Sequence, residues 1–479
     1  MRRLTPITVL LILIWVSVAT SVAQAQHHPS ELPPPQPLKY EPPKVERVTL
    51  QNGLDVFLLE DHELPLINAT AYIRTGSIYD PPDRAGLAGL VGTVMRIGGT
   101  KTRTGDELDE ELEFLAASVE TGMSEESGAA SLSVLSKDID RGLAVFADVL
   151  MNPEFRQDKL DLAKSQTIDG IRRRYDDPYE IARWEFRKIV WGKESPWARR
   201  STVESVSRIA REDLMAFHQK YYHPNNVLLG VSGDFKRADL LPRLEKAFAA
   251  WKPVPVQPPE VQKQNPGFKP GVYLVSKDLS QSTVRIGHVG IQRHSPDQYA
   301  VAVLNEIFGA GTFTSRLGTE VRSKQGLAYR VGGSLLDGIN SGMFVALCQT
   351  KAETTARAIA LMKDIIAKMQ TDPITDEEMQ TAKSSLINSF IFKYSSPAQI
   401  VNQKVSLKYD GYPDDYLETY IDRIQKVTKD DVLRVAKNYI HPEGLAVLVL
   451  GKPEKFDRPV SEFGPVMPVT LPPLTPPGK

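Results

Sequence analysis

One pattern of helix, turn and strand occurs twice in this chain and determines how the fold is divided. The two copies span residues 209–235 and 427–453 and align without a gap. The matching positions are Asp213 with Asp431, Tyr222 with Ile440, His223-Pro224 with His441-Pro442, and Gly233 with Gly451. A supersecondary unit that recurs in this way indicates an internal duplication. The recurrence also assigns both histidines to a structural corner rather than to catalysis.

Proline-rich segments separate the duplicated halves from each other and from both ends. The predicted domains cover residues 45–251 and 272–458, joined by a linker at 252–271 that contains six prolines from Pro253 to Pro270. A proline-rich lead-in at 26–44 and a second proline-rich tail at 459–479 complete the chain. Strand and helix patterns alternate within each half. We therefore predict an α+β protein with two duplicated domains, each a mostly antiparallel sheet with helices on one face.

Charge and cysteine content exclude several classes of function. The chain has 58 Lys and Arg against 59 Asp and Glu, so no net field favours nucleic acid or an anionic membrane. Its single cysteine, Cys348, allows neither an intrachain disulfide nor a cysteine-based metal site. The 41% hydrophobic and 24% charged fractions are those of an ordinary soluble globular protein.

Residues 1–25 have the features of a secretory signal peptide. Arg2 and Arg3 precede an apolar run from Ile7 to Ala19, and Ala23-Gln24-Ala25 supplies a cleavage site. The apolar run is too short for a comfortable transmembrane helix, and no cysteine follows it to carry a lipid anchor. We expect an exported protein without a membrane anchor, periplasmic in a Gram-negative bacterium, whose mature chain begins at Gln26.

A glycine-rich turn, a helix and a strand follow one another in the second half. Gly309 and Gly311 suit a turn at φ angles that other residues avoid. Arg322 at the end of the helix and Tyr329 at the start of the strand can converge, with Arg330 on the opposite strand face. An arginine fork and a tyrosine hydroxyl both donate to carbonyl oxygens. The same spacing also fits a surface arginine and an edge tyrosine without a function.

The segment SRLGTEVRSKQGLAY, residues 315–329, resembles the Arg/Tyr signature of the M16 metallopeptidase family, which includes pitrilysin and the mitochondrial processing peptidase. The similarity extends over most of the mature chain. The resemblance implies two halves that face each other across a cleft, with Arg322 and Tyr329 binding peptide substrates. It also places Gly309–Gly311 where the mitochondrial α subunit has a longer glycine-rich loop, and a role there in admitting substrate stays open.

The resemblance identifies positions at which the zinc motif has been lost. Catalytic members carry His-x-x-Glu-His on a helix, where the two histidines bind zinc and the glutamate acts as general base. The aligned residues here are Gly89, Gly92 and Thr93, and the third ligand aligns with Gly170. The neighbouring Asp169 alone makes a poor zinc site, so we expect no metal in this chain. The glycines either let another element pack closely or are remnants of a decayed site.

The edge strand that binds substrate in catalytic members is also altered. Those members usually show Asn-Ala-x-Thr there, whereas the aligned residues in this chain are Glu120, Thr121 and Met123.

These features indicate the non-catalytic, substrate-binding subunit of a heterodimeric M16 zinc peptidase. By resemblance, the partner subunit holds the zinc and activates the attacking water, while Arg322 and Tyr329 hold the peptide substrate. Two alternatives remain open. One is a scaffold comparable to the core proteins of the mitochondrial bc1 complex, and the other is a peptide-binding clamp that closes as a homodimer.

Overall fold

The computed structural model describes residues 42–257, 268–339, 342–394 and 396–472. The predicted signal peptide and most of the predicted lead-in lie outside the described residues, as do parts of the linker and tail. Among the described residues, no helix has the length and apolar character needed to cross a membrane.

The first half forms a six-stranded sheet flanked by helices. Its elements in chain order are β1 Glu46–Thr49, β2 Asp55–Glu60, β3 Leu66–Ile73, α1 Leu87–Ile97, α2 Gly105–Phe114, β4 Ser118–Met123, β5 Gly128–Leu135, α3 Ile139–Met151, α4 Gln157–Arg172, α5 Pro178–Trp191, α6 Val203–Arg208, α7 Arg211–Tyr221, β6 Val227–Gly233 and α8 Arg237–Phe248. The strand order is β1-β2-β6-β3-β5-β4, so β4 is an edge strand as predicted. Only β2 and β6 pair in parallel.

The second half repeats this arrangement. Its elements are β7 Gly271–Ser276, β8 Gln281–Val289, β9 Ile291–Gln292, α9 Gln298–Asn305, π-helical segments at Glu306–Ala310 and Gly318–Lys324, β10 Ala328–Leu335, β11 Asp337–Gly338, β12 Met343–Lys351, α10 Thr355–Lys368, α11 Asp376–Lys393, α12 Pro397–Tyr409, α13 Tyr416–Lys426, α14 Lys429–Tyr439, β13 Ala446–Gly451 and β14 Val466–Pro468. Its six-stranded sheet has the order β14-β7-β13-β8-β12-β10, and β9 and β11 form a small separate pair.

The two sheets confirm the predicted duplication. Strands β2, β6, β3, β5 and β4 of the first sheet correspond in order to β7, β13, β8, β12 and β10 of the second. Helices α7 and α14 are both 11 residues long, and each leads through a short turn into a fully buried central strand. The two edge strands β4 and β10 therefore occupy equivalent positions.

Each half packs one helix against the sheet of the other half, and we call this arrangement the helix exchange. The sequence patterns do not reveal it. Helix α5 of the first half packs Phe186 and Val190 against Val345 and Leu448 of the second sheet. Proline at the first position of α5 and a cap from the Asp177 side chain to the Tyr179 amide fix where this helix begins.

Helix α12 of the second half makes the reciprocal contact. Its Val401 and Val405 pack against Phe57 and Leu228 of the first sheet. A Cβ atom at Gly230 would lie 2.6 Å from Cγ1 of Val401, so glycine is needed for this close approach. Each sheet is thus covered on both faces, which explains why its central strand is buried throughout.

The second sheet continues into the proline-rich C-terminal segment. Strand β14 pairs in parallel with β7, and Val460 before it is buried in the core of the second half. Proline is tolerated in β14 because this strand lies at the edge of the sheet.

Candidate functional site

Arg322 and Tyr329 converge, as the sequence predicts, and a third side chain joins them. The guanidinium carbon of Arg322 lies 4.9 Å from the ring centroid of Tyr329 and 4.3 Å from that of Phe313. Tyr329 is 86% exposed and Phe313 is 62% exposed. Two large aromatic side chains therefore stand in solvent around one arginine, and we call these three residues the Arg322 cluster.

The course of the backbone at the cluster is set by a π-helical segment and by a glycine in the left-handed conformation that ends it. The π-helical segment at 318–324 begins after Ser315, whose Oγ accepts a hydrogen bond from the amide of Gly318. At its other end Gly326 has a φ of +60°, a conformation that glycine adopts without strain. The amide of Leu327 then donates to the carbonyl of Val321, which closes the helix at the predicted place.

A β-bulge presents Tyr329 to solvent. Ala328 pairs with Thr350 and Arg330 pairs with Gln349, so Tyr329 is the extra residue between two consecutive partners. A bulge re-aims the side chain of the inserted residue. The buried Ala328 before it and the exposed Tyr329 show that the strand begins at the surface beside the helix end.

The donors of the Arg322 cluster are available to a ligand. Among the described residues, no carboxylate lies within ion-pair distance of Arg322, although Glu320 and Lys324 on the same segment pair with each other at 2.7 Å. The cluster therefore combines an arginine fork, a phenolic hydroxyl and an exposed phenyl ring. Such a set can donate hydrogen bonds to a peptide backbone and contact an apolar side chain.

Phe313 is the member that sequence reasoning missed. It lies in the turn Thr312–Thr314, nine positions before Arg322, and its contact depends on how the π-helical segment folds back. In the sequence, Phe313 is recognisable as a large aromatic residue among glycine, threonine and serine, in a segment where no buried residue is expected.

The prediction that Gly309 and Gly311 form a turn at φ angles that other residues avoid is wrong. Neither residue has a positive φ, and Gly309 belongs to the π-helical extension of α9 rather than to a loop. A Cβ atom at position 309 would lie 2.4 Å from the amide nitrogen of Gly333 in β10. Gly309 is needed because the helix lies directly on the strand.

The predicted position of Arg330 on the strand face opposite Tyr329 agrees with its contact to α5, because α5 covers one face of the second sheet and the π-helical segment at 318–324 covers the other. Arg330 is not free there, since its guanidinium carbon lies 3.9 Å from the ring centroid of Tyr179. Tyr179 belongs to α5 of the first half, so Arg330 makes a cation–π contact between the halves.

The four degenerate zinc positions fall into two structural classes. Gly89 and Thr93 are exposed one helical turn apart on α1, and Gly170 is exposed on α4, which packs against α1. Nothing lies within 4 Å of a Cβ atom built at Gly89 or Gly170. The neighbouring Asp169 pairs with Arg172 at 3.1 Å. No group of three or more potential metal ligands occurs among the described residues.

Gly92 belongs to the other class because β4 lies directly on it. A Cβ atom at position 92 would lie 2.8 Å from both the carbonyl carbon of Gly122 and the amide nitrogen of Met123. The hydroxyl of Thr121 also donates to the carbonyl oxygen of Gly92 at 2.6 Å. Close packing therefore explains Gly92, whereas nothing in the structure requires glycine at Gly89 or Gly170. The residues present do not fit a zinc site of the family type.

Structural contacts are made by His218, His223, His288 and His441. His223 Nε2 bonds to the carbonyl of Gln219, and His218 Nε2 bonds to the carbonyl of Leu150. His288, which the sequence presents as isolated, lies beside His441 with a centroid distance of 5.0 Å. The Nε2 atom of His288 accepts the backbone amide of His441, which leaves that nitrogen unable to bind a metal.

Two family models match this chain. The one described as "Insulinase (Peptidase family M16)" matches residues 56–184, and the one described as "Peptidase M16 inactive domain" matches residues 208–386. Among curated relatives, an uncharacterized zinc protease of Rickettsia bellii is 24% identical over 421 residues, which cover 84% of this chain and 96% of the relative. An uncharacterized zinc protease of Bacillus subtilis is 24% identical over 363 residues, which cover 76% of this chain and 86% of the relative.

Solved structures give the same result for the fold. A peptidase M16 inactive domain from Pseudomonas fluorescens superposes with a TM-score of 0.78 at 27% identity, covering 85% of this chain and 98% of that one. A protease from Helicobacter pylori superposes with a TM-score of 0.76 at 19% identity, covering 86% and 100%. The matched family models, the relatives and the duplicated fold agree, and the chain belongs to peptidase family M16.

Proposed function

We propose that this chain is the non-catalytic, substrate-binding subunit of an exported M16-type zinc peptidase, and that it acts with a partner subunit that carries the zinc motif. The observation that carries the proposal is the contrast between two sites in one fold. The Arg322 cluster is intact and exposed, whereas the zinc positions are degenerate and β4 occupies the space beside Gly92.

In this proposal the Arg322 cluster binds the peptide backbone near the scissile bond. Arg322 donates two parallel hydrogen bonds to carbonyl oxygens, and Tyr329 donates its hydroxyl to the oxygen on which negative charge develops. Phe313 holds the guanidinium by a cation–π contact and limits its range of orientations. The zinc and the activated water belong to the partner.

The first half of this chain supplies binding surface rather than chemistry. A general base at position 92 needs a Cβ atom where the backbone of Gly122 and Met123 already lies. The equivalent positions of β4 and β10 support a division of labour, because the second edge retains the Arg322 cluster while the first edge lacks its family motif.

The proposed export rests on sequence features, and the proposed heterodimer rests on resemblance to the family. Residues 1–25 carry the charge, apolar run and cleavage pattern of a signal peptide. N-terminal sequencing of the exported protein tests this point, with Gln26 as the expected first residue and retention of residues 1–25 as the contrary result.

The decisive experiment is reconstitution. The mature chain is purified alone, then mixed with an M16 subunit from the same genome that carries His-x-x-Glu-His, and cleavage of an unstructured peptide library is measured. We expect no cleavage by this chain alone and cleavage by the mixture above that of the partner alone. A complex that forms but adds no activity supports a scaffold, and peptide binding without any complex supports a clamp.

A further inference from the structure

A cavity of about 470 Å³ lies between the halves, and its lining residues do not include the three members of the Arg322 cluster. One wall is a stripe of α5 in which an aromatic or arginine side chain occurs every fourth residue: Tyr179, Arg183, Arg187 and Trp191. Arg285 of β8 lies among the lining residues on the other side, with Val345 and Leu347 of β12 near it. Volumes of this size are typical of small-molecule sites.

Two of the arginines in this cavity have well-formed carboxylate partners. Arg187 makes a bidentate pair with Glu125, with both distances at 2.7 Å. Arg293 pairs with Glu126 and with Asp410, each at 2.8 Å. Arg183 lies 3.2 Å from Glu180 on its own helix.

Arg285 has no such partner. It is only 5% exposed, and its Nε and Nη2 atoms are buried without a hydrogen-bond partner among the residues that the structure describes. No carboxylate among the described residues lies within ion-pair distance of it. Its guanidinium carbon lies 4.8 Å from the ring centroid of Tyr179. Burial lowers the pKa of Arg285, and interaction with the Tyr179 side chain opposes part of this lowering.

The unpartnered atoms of Arg285 form the side of the guanidinium that binds carboxylates in a bidentate manner. Elsewhere in this chain, Arg316 uses the same two atoms to bind Glu378 at 2.7 and 3.1 Å. A buried cation that keeps this side free is costly to the fold unless an anion completes it. The tryptophan and tyrosine rings and the aliphatic wall surround the same space.

We propose that this cavity binds a carboxylate that carries an apolar or aromatic substituent, with the Nε and Nη2 atoms of Arg285 as its anchor. The C-terminus of a peptide and a free small carboxylic acid share this chemistry. The inference does not depend on the partner subunit or on peptidase activity, since the cavity is complete within this chain.

Isothermal titration of the purified mature chain tests the proposal with three probes. They are N-acetyl-Ala-Ala-Phe with a free carboxylate, the same peptide as its C-terminal amide, and 3-phenylpropionate. We expect the free acid to bind at least about tenfold more tightly than the amide, because hydrogen bonds to a charged group are lost in the amide. If the tripeptide binds more tightly than phenylpropionate, the ligand is a peptide C-terminus. Equal affinities identify a small acid.

Three variants make the test specific. Arg285→Met should abolish binding of the acid and raise the thermal midpoint of the free protein, because it removes an uncompensated buried charge. Arg285→Lys keeps the charge without the planar fork and should bind about tenfold more weakly or worse. The matched control Arg316→Met should lower the thermal midpoint and leave binding of the acid unchanged, since it breaks the pair with Glu378 outside the cavity.

Several results would overturn the proposal. Equal affinity for acid and amide, or no binding of any probe, excludes a carboxylate site. Undiminished binding by folded Arg285→Met excludes Arg285 as the anchor. If that variant fails to fold, undiminished binding by Arg285→Lys excludes Arg285 in the same way.

Discussion

The guanidinium carbon of Arg322 lies 4.9 Å from the ring centroid of Tyr329, although the two residues are seven positions apart and a left-handed glycine lies between them. The contact places a cation and a phenol at the start of an exposed edge strand. It also leaves the tyrosine hydroxyl and the arginine fork free for a ligand. This arrangement leads to the first two predictions.

Tyr329→Phe should impair catalysis by the reconstituted peptidase without affecting assembly. The variant loses only a hydroxyl from a side chain that is 86% exposed, so the fold and the partner contact should survive. Loss of one donor to a developing oxyanion commonly costs about 10²–10³ in turnover. The measurement is kcat with a fluorogenic peptide, after gel filtration has shown that the complex forms.

Arg322→Lys should impair activity nearly as much as Arg322→Ala, because a lysine keeps the charge but lacks the planar fork. Lys324→Ala is the control, since Lys324 lies on the same π-helical segment and makes only an exposed pair with Glu320. Arg330 is not suitable for this purpose because it contacts Tyr179. Full activity of assembled Tyr329→Phe and Arg322→Ala would show that the pair is structural.

Phe313→Leu tests whether Phe313 positions Arg322. The variant keeps an apolar side chain but removes the cation–π contact, which is worth about 0.5–1 kcal/mol at an exposed site. We expect kcat/KM to fall about two- to fivefold in the wild-type background. In the Arg322→Ala background the same substitution should have no further effect, as a double-mutant cycle will show. Equal losses in both backgrounds would mean that Phe313 contacts the substrate independently.

The features of the fold and of the site that depend on local sequence patterns could be predicted from the sequence. The duplication follows from an ungapped match between α7–β6 and α14–β13, and the structure repeats it strand by strand. The convergence of Arg322 and Tyr329 follows because Gly326 ends the helix only three residues before the tyrosine. Both results rest on short segments whose periodicity and glycine positions determine the chain direction.

The rest depends on contacts between distant residues. No local pattern reveals that α5 packs on the sheet of the other half, or that Arg330 reaches Tyr179 from 151 positions away. The cavity beside Arg285 could not be predicted either, because Arg285 and the stripe of α5 meet only through the helix exchange. Gly309 was misinterpreted because a close approach and a positive φ both favour glycine in the sequence.

His218 should make the free energy of unfolding depend on pH. Its ring stacks on Tyr222 with a centroid distance of 4.6 Å and bonds to the carbonyl of Leu150, and burial lowers the pKa of His218 to about 4. An unfolded histidine titrates at about pH 6.5, so the unfolded state binds more protons between these values. Stability should therefore rise from about pH 4 to pH 6.5 and be fully present above that window.

Across this window the change in the free energy of unfolding that His218 causes is on the order of 3 kcal/mol, because a pKa difference of one corresponds to about 1.4 kcal/mol. Urea unfolding of the mature chain and of His218→Gln at pH 5 and pH 7 measures it. The variant should lose stability at pH 7 and show a smaller difference between the two pH values. An unchanged difference would show that His218 is not buried as a neutral ring.

Gly89 and Gly92 should respond in opposite directions to alanine, although both were aligned by resemblance with the family's zinc motif. Gly89→Ala adds a methyl group to open space and removes a flexible residue from α1, so stability should rise by up to about 1 kcal/mol. Gly92→Ala forces the backbone of β4 away and should cost about 1–3 kcal/mol. Urea unfolding midpoints at unchanged m-values measure both.

The same contrast determines what restoring the zinc motif can achieve. A variant with Gly89→His, Thr93→His and Gly170→Glu places all new side chains at exposed positions, so it should fold. We expect it to bind about one zinc ion per chain, as elemental analysis will show, yet to cleave no peptide because position 92 still lacks a general base. Adding Gly92→Glu should not repair this defect but should lower the unfolding midpoint, since the new Cβ atom meets Gly122 and Met123. A fully stable four-residue variant with peptidase activity would show that β4 yields to the glutamate, and the chain would then be a zinc peptidase that has lost only its ligands.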